Sequence, residues 1–184
     1  MKTIDTPLKG LKIVELDVRG DSRGFFMERF NIDKFSKFEG LPLDFVQDNH
    51  SRSTAGVLRG LHYQYNKSQG KLVGCVNGAL LDVVVDIRKD SPTLGQSFSI
   101  ELTDINGKLL WVPAGFAHGF CVLGDKPADI YYKLTGGTYN PNGEGGIMWN
   151  DPDFDITWPL ENPAISERDK KQISFKEYLK DPKF

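Results

Sequence analysis

Turn-forming residues interrupt this sequence at short intervals, and this spacing limits the folds that the chain can adopt. Nineteen glycines and ten prolines are spread along 184 residues, and short runs rich in Val, Ile, Leu, Phe and Tyr lie between them. Such runs predict an all-β sandwich or barrel. The nearly continuous apolar run at 80–86 indicates a central strand. The predicted strands are 11–17, 24–30, 44–53, 56–63, 71–77, 79–87, 98–103, 108–112, 118–123 and 129–134.

Two short helices are predicted beside the strands. Asn31 can cap a helix over residues 32–38, whose apolar residues recur at helical spacing before Gly40. Near the C-terminus, Ser166 followed by Asp169 resembles a capping box that opens a second helix. No linker, internal repeat or low-complexity tract divides the chain. We therefore expect one domain over residues 1–184, an all-β jelly-roll barrel with short flanking helices.

The composition argues against several classes of protein. The 23 basic and 25 acidic residues give a formal charge of −2 without a basic run, so no nucleic-acid partner is expected. There is no apolar stretch of 18 residues that would predict a membrane span, and residues 1–5 lack the apolar centre of a signal peptide. Cys75 and Cys121 lie in predicted strands, where buried thiols are favoured over a disulfide. A cytoplasmic protein is the expectation.

Two segments place polar residues where strands are predicted. The first spans residues 56–64 and the second spans residues 113–118. Together they resemble the two motifs of the cupin superfamily, whose metal-binding members place two His and one Glu in the first motif and one His in the second. The comparable positions here hold His62, Gln64, Lys71 and His118. Because an ammonium repels a divalent cation, we expect no metal ion here, and instead a fixed positive charge that stabilises a developing anion.

His62 is the first candidate for proton transfer. An imidazole is the simplest general base near neutral pH, although a lone histidine in a strand is more often structural. His118 follows a Pro-Ala-Gly turn that should deliver it to the mouth of the barrel. Asp169 could orient such a base and stabilise its charged form. Alternatively, Asp169 only completes the cap with Ser166, and the two roles are compatible because a carboxylate has several acceptor sites.

Tyr132 and Lys71 each admit two interpretations. The alternation of a strand places Tyr132 on the interior face together with Ile130 and Leu134. A phenol in that position either packs with its hydroxyl satisfied or donates a proton opposite a histidine. Lys71 opens the next predicted strand and is either solvated, as most lysines are, or directed inward as an electrostatic clamp on an oxyanion.

Arg23 and Arg59 are candidate phosphate ligands because a guanidinium can donate two parallel hydrogen bonds to a phosphate. A regular strand would place Arg59 and His62, three residues apart, on opposite faces. A bulge at Gly60 would resolve that conflict. Phe26 could stack on a flat base, with core packing as the alternative.

Several blocks of sequence, in order along nearly the whole chain, resemble the dTDP-4-dehydrorhamnose 3,5-epimerases. They are 21–26, 45–51, 57–64, 85–93, 111–120, 132–133, 149–152 and 160–169. The resemblance implies inversion of C3 and C5 in a dTDP-linked 4-keto-6-deoxy sugar without metal or other cofactor. It also implies that His62 is the base, held by Asp169, that Lys71 faces the enolate and that Tyr132 returns a proton.

The same resemblance implies a set of substrate contacts and a homodimer in which each subunit lends part of its neighbour's site. The implied contacts are Arg23, Phe26, Glu28, Gln47, Asp48, Asn49, Arg59, Lys71, His118, Glu144 and Arg168. Among these, Phe26 would stack on the thymine. No membrane partner is implied.

The segment 132–141 departs from the family pattern. It is one residue longer, contains the pair Gly136 and Gly137, and has Thr138 where an aromatic residue is common. Because this loop helps to cover the base in the family, the departure leaves open an epimerase that inverts only C3 or that uses another nucleotide sugar.

Two further alternatives belong to other classes. Gln64 and Lys71 argue against a metal-dependent cupin enzyme, which needs carboxylate and imidazole ligands. The combination of His62, Asp169 and Tyr132 argues against a sugar-nucleotide binder without catalytic activity.

Overall fold

Strands dominate the computed structural model, which describes residues 1–184. All pairings between named strands are antiparallel. The strands are β1 (Lys2–Asp5), β2 (Lys12–Glu15), β3 (Val18–Asp21), β4 (Gly24–Met27), β5 (Gln47–Ser53), β6 (Leu58–Gln64), β7 (Lys71–Asn77), β8 (Ala79–Asp86), β9 (Ser97–Thr103), β10 (Lys108–Val112), β11 (Phe116–Val122), β12 (Ala128–Leu134) and β13 (Glu144–Gly146). The helices are α1 (Ile32–Phe35) and α2 (Phe175–Tyr178), with 3-10 turns at Pro141–Gly143, Pro152–Phe154 and Asp169–Lys171.

Two large sheets face each other. One has six strands in the order β1-β2-β10-β7-β12-β5, and the other has five in the order β13-β6-β11-β8-β9. A separate hairpin is formed by β3 and β4. The predicted all-β jelly-roll architecture is confirmed. The sheets keep open edges, however, so the structure is a sandwich and not a continuously hydrogen-bonded barrel.

The interior changes from apolar to polar towards one end. Val73 of β7 and Ile130 of β12 belong to the main buried cluster between the sheets. One inward position further along the same strands, Lys71 and Tyr132 border a cavity, and His118 does so on β11 of the opposite sheet. The two-residue period of a strand therefore places polar side chains at the end of an otherwise apolar sandwich.

Most of the predicted elements are present with shifted ends. The apolar run at 80–86 is confirmed as a buried strand within β8. Asn31 caps α1, accepting hydrogen bonds from the amides of Asp33 at 3.0 Å and Lys34 at 3.3 Å. The helix ends three residues before the predicted limit. The sequence analysis missed the short strands β1, β3 and β13.

The prediction of a helix opening at Ser166 was wrong. Ser166 Oγ does accept a hydrogen bond from the Asp169 amide, at 3.1 Å. The chain then forms only the 3-10 turn Asp169–Lys171, and a helix follows later, capped by Ser174. A capping box needs the third side chain to bond back to the cap, but the carboxylate of Asp169 instead contacts β6.

Both cysteines are buried free thiols, as predicted. Burial raises the pKa of Cys75 and that of Cys121 to about 11. None of the helices combines the length and the apolar character that crossing a bilayer requires.

Candidate active site

A β-bulge in β6 brings Arg59 and His62 to the same cavity. His62 lies opposite His118 of β11, and Arg59 lies opposite Phe120, so three steps along β6 match two along β11. The extra residue falls at Gly60, whose φ is +130° and where a Cβ would lie 2.6 Å from the Gly119 Cα. Only glycine fits this close approach. The bulge predicted at Gly60 is therefore present, and Arg59 and His62 border one cavity.

His62 is held by a buried carboxylate from the far end of the chain. Its Nε2 lies 2.6 Å from Oδ1 of Asp169, whose side chain is 3% exposed. The other oxygen of Asp169 accepts a hydrogen bond from the Gly60 amide at 3.3 Å. Burial alone would raise the pKa of Asp169, but the His62 hydrogen bond, its charge and the Gly60 amide outweigh it and lower the pKa to about 2. Asp169 is thus a carboxylate at any physiological pH.

The ionised carboxylate determines which nitrogen of His62 can act as a base. Because Asp169 can only accept, Nε2 carries the hydrogen and Nδ1 keeps its lone pair. The His62 side chain is 21% exposed, so the ring can be reached by a substrate while its partner cannot. This is the arrangement of an oriented imidazole base.

Tyr132 and Lys71 face His62 from the opposite sheet. His62 projects from β6 of the five-stranded sheet, while Lys71 and Tyr132 project from neighbouring strands β7 and β12 of the six-stranded sheet. All three border two adjoining cavities of about 340 and 250 Å³. Burial, aided by the negative charge of Glu144, raises the pKa of Tyr132. Tyr132 is therefore a protonated phenol, and so a proton donor, at neutral pH.

Lys71 is a partly buried lysine whose positive charge is only partly balanced. Burial lowers its pKa, and the charges of Glu144 and Asp82 act in the opposite direction. An anion that forms in the cavity would add a further counter-charge. The side chain is thus suited to stabilising an oxyanion in a region of low dielectric constant.

The loop between β12 and β13 closes one side of the larger cavity. Glu144 accepts hydrogen bonds from Arg168 Nη1 at 2.7 Å and from the Tyr139 hydroxyl at 2.9 Å. The Tyr139 amide donates to Gln47 Oε1 at 3.0 Å, and the Asn140 amide donates to Gln64 Oε1 at 3.2 Å. Side chains from three separate strands therefore fix the position of this loop.

Most of the residues that the sequence proposed for the site border the two cavities. They are His62, Lys71, Tyr132, Gln47, Asn49, Glu144, Arg59, His118 and Arg168, and Asp169 stands directly behind His62.

Four predicted residues lie elsewhere. Arg23 and Phe26 line a separate surface pocket at the β3–β4 hairpin, and Glu28 follows that hairpin. Asp48 points to the outer face of its sheet, where it accepts hydrogen bonds from Tyr131 and Lys133, both at 2.7 Å. The single chain does not bring these four side chains to His62.

The sequence analysis missed several residues that line or support the cavity. Tyr139, Gln69 and Gln64 border it, although Gln64 was considered only as a position that is unsuitable for a metal ligand. Asp82 lies behind His118, and both of its carboxylate oxygens are 2.9 Å from Nε2. The available signal for Asp82 was a lone charge inside an apolar run, which conflicts with the local pattern.

The donor set does not resemble that of a metal centre. No group of three or more His, Cys, Asp or Glu side chains is arranged to hold an ion. Gln64, at one of the cupin ligand positions, has its amide group engaged in holding the 139–143 loop and the chain after β6.

Comparison with known proteins identifies the family. Residues 5–177 match the family model described as dTDP-4-dehydrorhamnose 3,5-epimerase. The chain belongs to the dTDP-4-dehydrorhamnose 3,5-epimerase family. A dTDP-4-dehydrorhamnose 3,5-epimerase from Shigella flexneri is 51% identical over 170 residues, which cover 92% of this chain and 93% of the relative.

Other members of this epimerase family are similar in fold and sequence. The crystal structure of a Legionella pneumophila dTDP-6-deoxy-D-glucose-3,5-epimerase, in complex with dTDP-4-keto-L-rhamnose, superposes with a TM-score of 0.90. It is 45% identical, covering 95% of this chain and 93% of that one. A dTDP-4-dehydrorhamnose 3-epimerase from Streptomyces niveus is 37% identical and covers 90% of this chain and 80% of the relative. The resemblance predicted from the sequence is therefore confirmed.

Proposed function

We propose that this protein is a dTDP-4-dehydrorhamnose 3,5-epimerase, which converts dTDP-4-dehydro-6-deoxy-D-glucose to dTDP-4-dehydro-L-rhamnose. The observation that carries the proposal is the His62–Asp169 pair, 2.6 Å apart, facing the Tyr132 phenol across a shared cavity. A base on one wall and an acid on the opposite wall are what the inversion of a carbon centre requires. Membership of the epimerase family supports the choice of substrate.

The reaction requires only proton transfers at carbons beside a ketone. The C4 carbonyl of the sugar acidifies the hydrogens on C3 and C5. His62 Nδ1 removes one of them from its side of the ring, and the electron pair of the broken C–H bond moves into an enolate. Tyr132 then donates its hydroxyl proton to the same carbon from the opposite side, which inverts it. General acid–base catalysis of this kind accelerates a step by roughly 10²–10⁴-fold.

Repeating these steps at the second carbon completes the reaction. Between rounds, His62 loses its extra proton to solvent and Tyr132 regains one, so no net proton is consumed. Lys71 stabilises the negative charge on O4 in each enolate. This charge develops in the transition state, where a cation already in position lowers the energy barrier. Only σ bonds to hydrogen are made and broken, the π electrons shift between ketone and enolate and back, and no net oxidation or reduction occurs, so no redox group is needed.

The diphosphate and base are proposed to bind at a site that two subunits share. Arg59 borders the cavity, but Arg23 and Phe26 lie on the remote β3–β4 hairpin. Phe26 is 67% exposed in the single chain, an unusual exposure for a large aromatic side chain. A homodimer in which this hairpin extends over the neighbour's cavity would bury Phe26 against thymine and direct Arg23 and Glu28 to the substrate.

The remaining features of the proposal concern the whole chain. We propose one domain over residues 1–184, since β1 and β2 extend the same sheet that carries Lys71 and Tyr132. Two free buried thiols favour a cytoplasmic location, where thiols stay reduced. The product would enter dTDP-rhamnose synthesis for surface polysaccharides such as O-antigen.

A second candidate is an epimerase that inverts only C3. The match to a dTDP-4-dehydrorhamnose 3-epimerase favours it, as does the unusual loop at Gly136 and Gly137. The His62–Asp169 pair would serve that reaction equally well.

Deuterium incorporation distinguishes the two candidates. The enzyme is incubated with dTDP-4-dehydro-6-deoxy-D-glucose in D₂O, and the sugar is examined by NMR. The double epimerase introduces deuterium at C3 and C5 and yields the L-rhamno configuration. Deuterium at C3 alone identifies the 3-epimerase, and no incorporation at either carbon overturns both proposals.

A further inference from the structure

A second histidine–carboxylate pair lies beside the first, inside the sandwich. His118 is the direct partner of His62 across β6 and β11, so the two side chains start about 5 Å apart. Nε2 of His118 is 2.9 Å from each carboxylate oxygen of Asp82 on β8. The His118 side chain is 8% exposed and Asp82 is fully buried.

Asp82 occupies a position where a charge is unfavourable. Its neighbours on the inward face of β8 are Leu80 and Val84, both members of the main apolar cluster. A carboxylate in such surroundings is strongly unfavourable unless it is hydrogen-bonded and balanced by charge. The only hydrogen bonds to the Asp82 side chain come from the His118 ring. An apolar residue would suit the packing better, so the carboxylate requires a reason connected with the site.

Asp82 influences two groups that border the reaction cavity. By accepting the Nε2 hydrogen of His118, it fixes the ring and leaves Nδ1 as the nitrogen that can meet the sugar. Its negative charge also opposes the effect of burial on Lys71. Both His118 and Lys71 border the cavity that contains His62.

We propose that Asp82 is a positioning residue of the epimerase reaction, which orients His118 towards the sugar and supplies a counter-charge to Lys71. This inference rests on the proposed function. The inference extends the proposed function by assigning the stabilisation of the enolate to three residues, Lys71, His118 and Asp82. Of these, Asp82 touches neither substrate nor product. His118 Nδ1 contacts the sugar beside the ketone, and Lys71 meets the oxygen that gains charge.

The variant Asp82→Asn tests both effects. Asparagine keeps the size and one acceptor oxygen but removes the charge. We expect kcat to fall about 10–100-fold, as for other residues that orient a ligating or reacting group, with KM changed less than about threefold. Loss of the negative charge lowers the pKa of Lys71 further, so the alkaline limb of kcat moves to lower pH.

Other groups around Lys71 must be considered in that pH profile. The titratable and charged groups bordering its cavities are His62, Tyr63, His118, Tyr132, Tyr139, Glu144, Arg59 and Arg168. Asp82→Asn leaves all of these side chains in place. The matched control is Asp86→Asn, an equally buried carboxylate of β8 that binds Arg88, Ser91 and Thr93 away from the cavity. Asp86→Asn is expected to lower Tm without moving the alkaline limb.

A double-mutant comparison and one measurement on the parent protein complete the test. If Asp82 orients His118, then Asp82→Asn lowers kcat by a smaller factor in the His118→Asn background than in the parent enzyme, because the oriented ring is already gone. Independently of substrate, ¹⁵N NMR of the parent protein should show hydrogen on Nε2 of His118, with the signal assigned by its loss in His118→Asn.

The outcomes are distinct. A bare Nε2 on His118, or a folded Asp82→Asn enzyme with the parent kcat and the parent alkaline limb, overturns the positioning role. Failure of the parent enzyme to place deuterium in the substrate would instead overturn the proposed function, whereas the NMR result for His118 would stand by itself.

Discussion

His62 and Tyr132 project into one cavity from opposite sheets of the sandwich, His62 from β6 and Tyr132 from β12. A sugar ring held between them presents one face to an imidazole and the other to a phenol. In the proposed reaction, inversion follows from this geometry, because hydrogen leaves on one side and returns on the other. The sandwich fold supplies this arrangement without requiring any group to move across the ring.

Replacement of Tyr132 by Phe should separate removal of the proton from its return. The variant keeps the ring that packs in the cavity but has no acidic hydrogen. We expect formation of the inverted product to fall by roughly 10²–10⁴-fold, while His62 still exchanges hydrogen with solvent on its own side. NMR in D₂O would show deuterium entering without inversion. Inversion at the parent rate would show that another group is the acid.

Replacement of Asp169 by Asn should impair His62 without removing it. The amide can no longer stabilise a charged imidazole, and it can hold the ring in the wrong tautomer. We expect kcat to fall by at least about 100-fold with little change in KM. Steady-state kinetics at saturating substrate, with the Tm as a control for folding, would check this. An unchanged kcat would limit the Asp169 side chain to a structural role, such as accepting the hydrogen bond from the Gly60 amide.

The same variant tests how the contribution of Asp169 to the unfolding free energy depends on pH. Asp169 has a pKa of about 2 in the folded protein, against an ordinary value of 3.8. A carboxyl group whose pKa is lower in the folded than in the unfolded protein stabilises the folded state at pH values above its ordinary pKa. That stabilisation is lost as the pH falls through the pKa of the folded state. Asp169→Asn should therefore lose roughly 2 kcal/mol of unfolding free energy at pH 7. The deficit should shrink between about pH 4 and pH 2.

Urea unfolding at pH 7 and again at pH 3 would measure this deficit. Asp33→Asn serves as a control because Asp33 is exposed on α1. A deficit for Asp169→Asn that does not depend on pH would mean that the His62 contact does not stabilise the ionised carboxylate.

Lys71 should contribute to catalysis at the expense of stability. Replacement by Met removes a partly buried charge and keeps an unbranched apolar chain, so we expect Tm to rise. Because the enolate loses its cation, kcat should fall by about 10²–10³-fold. Lys71→Arg, which keeps a positive charge, should not show the rise in Tm. A Met variant that is both less stable and fully active would contradict the assignment of Lys71 to the oxyanion.

The shared site predicts that two inactive variants restore activity together. Arg23→Ala damages the hairpin, and His62→Ala removes the base. If each hairpin serves its neighbour's cavity, a mixed dimer has one intact site. Random mixing then restores about a quarter of the parent activity, since half of the dimers are mixed and each has one active site of two. Activity after denaturation and refolding of the mixture would measure this. No recovery would show that each hairpin serves its own cavity.

Simple strand periodicity predicted part of the site. The alternation of β12 placed Tyr132 inside, and Gly60 indicated the bulge that places Arg59 beside His62. Both signals are local, because they depend on two-residue periodicity and on the close approach that only glycine permits. The strands β3 and β13 were missed because each has only three or four residues, and Gly occupies several of their positions.

Long-range partners could not be derived from spacing. Asp169 is 107 residues from His62 in sequence, and its local pattern favoured a helix cap. That pattern also left open a carboxylate that orients a base, and the family resemblance then assigned Asp169 to His62. Asp82 was placed in the central strand, but its partner His118 is 36 residues away. Contacts of this kind depend on the order of strands in the sheets, which a local pattern does not specify.

The most direct test of the account uses His62→Ala in D₂O with the dTDP-linked 4-keto sugar. The account predicts that deuterium no longer enters C3 or C5 at a measurable fraction of the parent rate, while binding of the nucleotide sugar is retained. Incorporation at the parent rate would show that a different base removes these hydrogens and would contradict the central claim.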